Sequence, residues 1–216
     1  MFVKTSLLLS AIFMIPLSLF AARPFATDDA GTVEPGIFEI ESALDYWKDR
    51  ASFGIGLKHG LTSKMDLGIA LGYTIRPEDE MAASPLGLSF KYNFIPEHFS
   101  VSISGSFNSA VYAINTIYTH PFNVIAISIN IGLEVTESIK ECMLTHGVLS
   151  TFLFKNVTVG FEIAGTHKNF SLWQVGTQIS IKDWLAIDVG FGGDFEKEIQ
   201  LNATTGLWVS LPVSKL

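Results

Sequence analysis

Leu86-Gly87-Leu88-Ser89-Phe90-Lys91-Tyr92-Asn93-Phe94 sets a bulky apolar or aromatic side chain at every even position and Gly, Ser, Lys or Asn at every odd one. A period of two puts these sets on opposite faces of an extended strand, whereas a helix needs a period of about 3.6. Earlier in the chain, Phe38, Ile40, Ser42, Leu44 and Tyr46 alternate with Glu39, Glu41, Ala43 and Asp45. Phe53, Ile55 and Leu57 alternate with Gly54, Gly56 and Lys58, and Leu67 to Tyr73 oppose Asp66, Gly68, Ala70 and Gly72. Later, Val101 and Ile103 alternate with serines, and Ile125 to Leu133 oppose Ala126, Ser128, Asn130, Gly132 and Glu134. Val157 to Ile163, Trp173 to Ile179, Leu185 to Phe191 and a last segment from about Leu201 to Leu211 complete the series. Val111–Thr119 is less regular, and His146–Phe154 is ambiguous in phase. About twelve strands result, each close to the roughly 9–11 residues that cross a bilayer when tilted.

The connections support an up-and-down arrangement. Short turns are expected around Gly60–Lys64, Ile95–His98, His120–Asn123, Lys155–Asn156 and Lys182–Asp183. Longer links, Thr74–Ser84, Thr136–Thr145 and Gly193–Glu198, fall between them. Short turns on one side and longer loops on the other are the outer-membrane arrangement. An even number of strands places both chain ends on the short-turn side.

Which face points outward is decided by composition. A soluble ligand-binding barrel has the same period with the faces reversed, and a sandwich core would also bury the aromatics. Here the non-apolar face is built from Gly, Ser, Ala and Asn, which suits an enclosed axis better than bulk water. The apolar face is bulky strand after strand, and aromatics gather near strand ends, among them Tyr46, Trp47, Tyr73, Phe94, Phe107, Phe122, Phe154 and Trp184. Such rings favour the membrane–water boundary. Of the 216 residues 48% are hydrophobic and only 16% charged, against about 25% charged in an ordinary soluble domain. The fold expected is all-β, a transmembrane antiparallel up-and-down β-barrel occupying 37–216.

Ahead of it, Lys4 precedes an apolar run from Leu7 to Phe20, and Ala21 and Ala22 follow. This reads as a signal peptide over 1–21, and the run is short for an uncleaved helical anchor. Residues 22–36 are expected to form an N-terminal periplasmic segment. The implied location is the outer membrane of a Gram-negative envelope, with outer-membrane lipid and barrel-assembly machinery as partners. The chain ends Pro212-Val213-Ser214-Lys215-Leu216 rather than on the aromatic residue common in such barrels.

The net charge of −7 argues against nucleic acid, for which a basic stripe is expected. The single cysteine, Cys142, excludes an intrachain disulfide and reads as an incidental loop residue. The five histidines, His59, His98, His120, His146 and His167, sit in no nucleophile motif and no paired metal-binding spacing. No enzyme activity, cofactor or metal is therefore expected.

The inner face is the candidate functional surface. Its acids are Glu39, Glu41, Asp45, Asp66, Glu134, Glu162 and Asp188, its bases Lys58 and Lys91, and its amides Asn93, Gln174 and Gln178. In an open lumen the excess of acid would concentrate cations and oppose anions; in a closed one the charges would pair and hold the barrel in shape. Asp28 and Asp29, flanked by Thr27 and Thr32, offer a cation site or a plug at the barrel mouth, or an Asx-type turn before the first strand.

The stretch Arg23-Pro24-Phe25-Ala26-Thr27-Asp28-Asp29-Ala30-Gly31-Thr32-Val33-Glu34-Pro35-Gly36, followed by Phe38-Glu39-Ile40-Glu41, resembles the start of a family of outer-membrane barrels labelled transporter or meta-pathway phenol-degradation protein. Gly60-Leu61-Thr62 leading to Leu67-Gly68 is similar to a later part of that family. The resemblance implies a barrel and a general transport role, with no assigned catalytic or binding residues. The leading expectation is a porin-like passive channel for small solutes, apolar or aromatic ones included. A non-conducting structural or surface-interaction barrel, working through Arg76–Glu80 and Glu137–Glu141, is the alternative. A lipid-acting barrel enzyme is the third.

Overall fold

The computed structural model describes residues 24–78, 81–107, 111–136, 141–195 and 200–213. The signal-peptide reading, Arg23, and most of Glu137–Glu141 fall outside these residues. Thirteen strands form one sheet: β1 (Ile37–Trp47), β2 (Ala51–Thr62), β3 (Met65–Arg76), β4 (Ala82–Ala83), β5 (Gly87–Ile95), β6 (Phe99–Ser106), β7 (Val111–Phe122), β8 (Ile125–Thr136), β9 (Glu141–Phe154), β10 (Val157–Thr166), β11 (Asn169–Lys182), β12 (Leu185–Asp194) and β13 (Leu201–Pro212). β4 is a two-residue addition to β3, set within the link expected at Thr74–Ser84. The other twelve pair antiparallel with their chain neighbours. β1 closes the ring on β13 from Ile37↔Pro212 to Trp47↔Asn202. Closure leaves no sheet edge whose backbone groups would be stranded in an apolar medium.

The two ends of the barrel differ. Beside the seam where β1 starts and β13 ends, the turns are two or three residues, such as Ser63–Lys64, Asn123–Val124 and Lys155–Asn156. Asn123 adopts φ 60°, a left-handed conformation that asparagine tolerates in tight hairpins. Links at the opposite end run from two residues to ten.

The outer wall is apolar from rim to rim. Ile55, Ile69, Leu88, Ile103, Ile131, Phe161, Val175 and Ile187 are all exposed on it. Aromatics lie toward both rims: Phe94, Phe122, Phe154 and Trp184 at the short-turn end, Tyr46, Tyr73, Phe107 and Tyr112 at the other. Lys155 lies 5.6 Å over the Phe154 ring and Lys182 lies 5.3 Å over that of Trp184, so each lysine stem can cover an aromatic while its charge points to the rim. Cys142 is exposed and sits within β9 rather than in a loop.

His146–Phe154 resolves into an inward set containing Gly147 and Leu149 and an outward set containing Val148 and Phe152. Leu149 and, on β7, Ile117 are buried inside, which is why neither segment shows clean polar–apolar alternation.

Candidate functional site

Residues 22–36 were expected to form an N-terminal periplasmic segment, with Asp28 and Asp29 offering a cation site, a plug at the barrel mouth or an Asx-type turn. Their described part instead folds into the lumen. Pro24, Phe25, Thr27, Ala30 and Val33 are buried there. This strap is not a strand: Pro24, Asp28-Asp29 and Gly31 are turn residues, and only Pro35 bridges the wall, to Gly60. The strap begins against β12, β11 and β10, passes β9 and β8, continues past β7, β6, β5 and β3, and joins β1 through Gly36 at φ 74°.

The wall holds the strap mainly by its backbone. The Gln174 amide donates to the Pro24 carbonyl. Glu162, fully buried, accepts from the N–H of Ala26 at 2.9 Å and from that of Thr27. Asn130, with its amide oriented to satisfy both groups, donates to the Asp28 carbonyl at 2.9 Å and accepts from the Asp28 N–H at 2.8 Å. Lys91 donates to the carbonyls of Asp29 at 2.9 Å and Gly31 at 2.8 Å, and forms an ion pair with Asp28 Oδ2 at 2.8 Å. Asn93 and Ser100 both donate to the Ala30 carbonyl, while Thr119 Oγ1 accepts from the Ala30 N–H at 2.9 Å. Asp66 accepts from the Val33 N–H at 3.1 Å. Buried polar groups are costly unless bonded, and this distribution satisfies both the wall and a non-strand segment.

Space for the strap comes from glycine. Gly160, Gly176 and Gly190 lie side by side on β10, β11 and β12, since the registers pair Gly160↔Gly176 and Gly176↔Gly190. A Cβ on Gly160 would fall 2.4 Å from Phe25 Cζ, and one on Gly176 2.3 Å from Pro24 Cγ. On β9, a Gly147 Cβ would fall 2.2 Å from Thr27 Oγ1. Phe25 and Leu149 converge over Gly160, which accounts for the inward leucine.

The twelve candidate lumen residues all lie on the inward-facing parity of their strands, but in different settings. Asp66, Lys91, Asn93, Glu162 and Gln174 contact the strap. Glu41 pairs with Lys58 at 3.2 Å, and Glu39 stands opposite Lys58 in the β1–β2 register. Asp188 is buried close to where a Gly206 Cβ would be. Asp45, Glu134 and Gln178 are half-buried. Within the opening motif, Asp29 Oδ1 accepts from the Gly31 N–H at 2.7 Å, an Asx turn, while Asp28 engages Lys91. Asp29 thus shapes a turn while Asp28 bonds the wall. Ser100, Thr119 and Asn130 contribute as much as the residues singled out; their signal was only their small polar character at inward positions. The histidines His59, His98 and His146 bond backbone carbonyls of neighbouring strands.

The closed ring of twelve antiparallel strands, with an apolar outside and a hydrogen-bonding inside, is a fold shared with solved porin structures. KdgM porin superposes with a TM-score of 0.62, covering 80% of this chain and 99% of that one at 12% identity. A structure of KdgM porin in complex with disordered oligogalacturonate gives 0.63 over the same shares at 12% identity. NanC porin gives 0.60 at 7% identity, covering 81% of this chain and 100% of that one. At these identities the likeness is one of fold. No protein-family model and no curated protein matches the sequence, so the phenol-degradation label rests on the opening residues and the Gly60–Gly68 stretch alone.

Proposed function

We propose that this chain is an outer-membrane channel for small solutes, exported with a leader that is removed and inserted with the help of barrel-assembly machinery. The observation that carries the reading is the two-sided wall. Exposed Ile, Leu, Val and Phe on the outside suit lipid, while charged and amide side chains line an axis closed off from it. Barrels of the same architecture are porins, which supports transport over catalysis. The inner wall favours polar solutes, since its strap-facing groups are Lys91, Glu162, Asn130 and Gln174 rather than an apolar track. The aromatic cargo suggested by the phenol-degradation label finds less to hold it there.

One observation favours the non-conducting alternative: the strap packs over Glu162 and Ser100, both buried, where a wide aqueous pore would leave them wet. Reconstitution in planar bilayers separates the two. Discrete ion currents that fall with increasing cation size support the channel. A folded barrel that stays silent with the strap displaced supports a structural role.

A further inference from the structure

We propose that residues 24–33 are a releasable gate rather than a permanent filling of the lumen; the proposal rests on the channel reading above. Three features of the strap point to release.

The first is the kind of bond that holds it. A permanent filling would be paired into the sheet. Most of the bonds described here instead run from wall side chains to strap backbone groups, and both kinds of partner can be taken up by water. The second is what the strap leaves behind. Glu162 and Lys91 are buried and both bond the strap directly. When it leaves they regain hydration, which offsets part of the cost of opening. The third is the attachment. Gly36 is a fixed anchor, its N–H bonded to the Gly60 carbonyl at 2.9 Å and its carbonyl to the Val213 N–H at 2.8 Å, and the Ile37↔Pro212 pairing that closes the barrel begins just beyond it, whereas residues 24–33 ahead of it are paired to no strand. The strap can therefore swing without opening the seam.

The gate has a receptor matched to it. Gly147 and the Gly160–Gly176–Gly190 row leave a groove on the inner wall that the Pro24, Phe25 and Thr27 side chains fill. Release of the strap frees that volume and presents Lys91, Glu162, Asn130 and Gln174 to a passing solute.

A reversible lock tests this. A Cβ on Gly147 would lie 3.4 Å from Thr27 Cβ, next to the range of about 3.5–4.5 Å spanned by disulfides. The variant Thr27→Cys, Gly147→Cys, with Cys142→Ser removing the native thiol, is reconstituted in planar bilayers and recorded oxidised, then after adding dithiothreitol. The expected result is sparse, small openings when oxidised and at least a roughly tenfold rise in open probability on reduction. Equal currents in the two states, with disulfide formation verified by mass spectrometry, overturn the gate and leave the channel standing. Silence in both states, and also in Lys91→Met, overturns the channel reading and the gate with it. If the double-cysteine barrel does not fold, Lys91→Met carries the test alone: a raised open probability supports the gate, and one equal to the parent overturns it.

Discussion

The two halves of the strap are held by different means. From Pro24 to Thr27 it lies in a groove made by missing side chains, with Gly147, Gly160, Gly176 and Gly190 as the floor. From Asp28 to Val33 it lies among polar groups, with Lys91, Asn93, Ser100, Thr119, Asn130 and Asp66 bonding its backbone. The first half combines a steric seat with backbone bonds to Gln174 and Glu162, and the second is held by hydrogen bonding and charge. The difference teaches where the strap can be tuned. A steric seat fails abruptly when a side chain is added, whereas a bonded seat weakens by steps as its partners are removed. Cleavage inside residues 24–33 by proteinase K, read by mass spectrometry on barrels with unchanged heat-modifiable gel mobility, measures both.

The largest effect is expected for Lys91→Met. It removes an ion pair and two charge-assisted bonds and leaves Asp28 facing an apolar stem. Breaking a fully buried pair costs about 3–5 kcal/mol. The Lys91 and Asp28 side chains are 9% and 16% exposed, and release of the strap limits the loss, so about 3 kcal/mol is expected, or roughly 100-fold faster cleavage. Cleavage at the parent rate would show that the second half is also held by shape.

Gly176→Leu tests the steric half. Its Cβ alone would overlap Pro24 Cγ, and the rest of the side chain would enter the space of Phe25. Overpacking costs about 1–3 kcal/mol, so cleavage should rise roughly 30-fold for a cost of about 2 kcal/mol. Gly176→Ala already places that Cβ and should show most of the change. A smooth gradation from Ala to Leu would contradict an abrupt seat.

The barrel was legible in the sequence and the strap was not, for one physical reason. Strand identity and facing are written in neighbours two residues apart, so Leu86–Phe94 and Ile125–Leu133 could be read without knowing what they touch. The strap depends on partners far away in the chain, as with Gln174 and Pro24, separated by 150 residues. Its glycine floor is invisible in one dimension. Gly160, Gly176 and Gly190 look like ordinary small inward residues until the registers align them. Where the strap's demands override the pattern, the reading became ambiguous: Leu149 faces inward because Phe25 needs an apolar neighbour, and this blurred the phase of His146–Phe154. The inward positions of Lys91 and Glu162 followed from parity, but their partners did not.

Glu162→Gln falls at the junction of the two halves. The carboxylate accepts from two consecutive N–H groups, and the amide can accept from only one while presenting N–H to the other. The expected cost is about 1.5 kcal/mol, or roughly tenfold faster cleavage. Glu162→Asp keeps the charge on a shorter stem. If Asp restores less than Gln does, reach matters more than charge here, and the boundary between the halves moves toward the strap's N-terminus.

The smallest effect is expected at Thr32. It shares the opening motif with Thr27, yet no hydrogen bond ties its side chain to the wall, whereas Thr27 sits over Gly147 beneath Glu162. Thr32→Ala should therefore change strap release by no more than about 0.5 kcal/mol, the range of substitutions that remove no specific contact. Thr27→Val, nearly the same shape without the hydroxyl, should leave the steric seat filled and change release about as little. A large loss at Thr32 would mean that the bonded half extends to side chains as well as backbone, and the division of the strap into a shaped half and a bonded half would need a third element at its junction with β1.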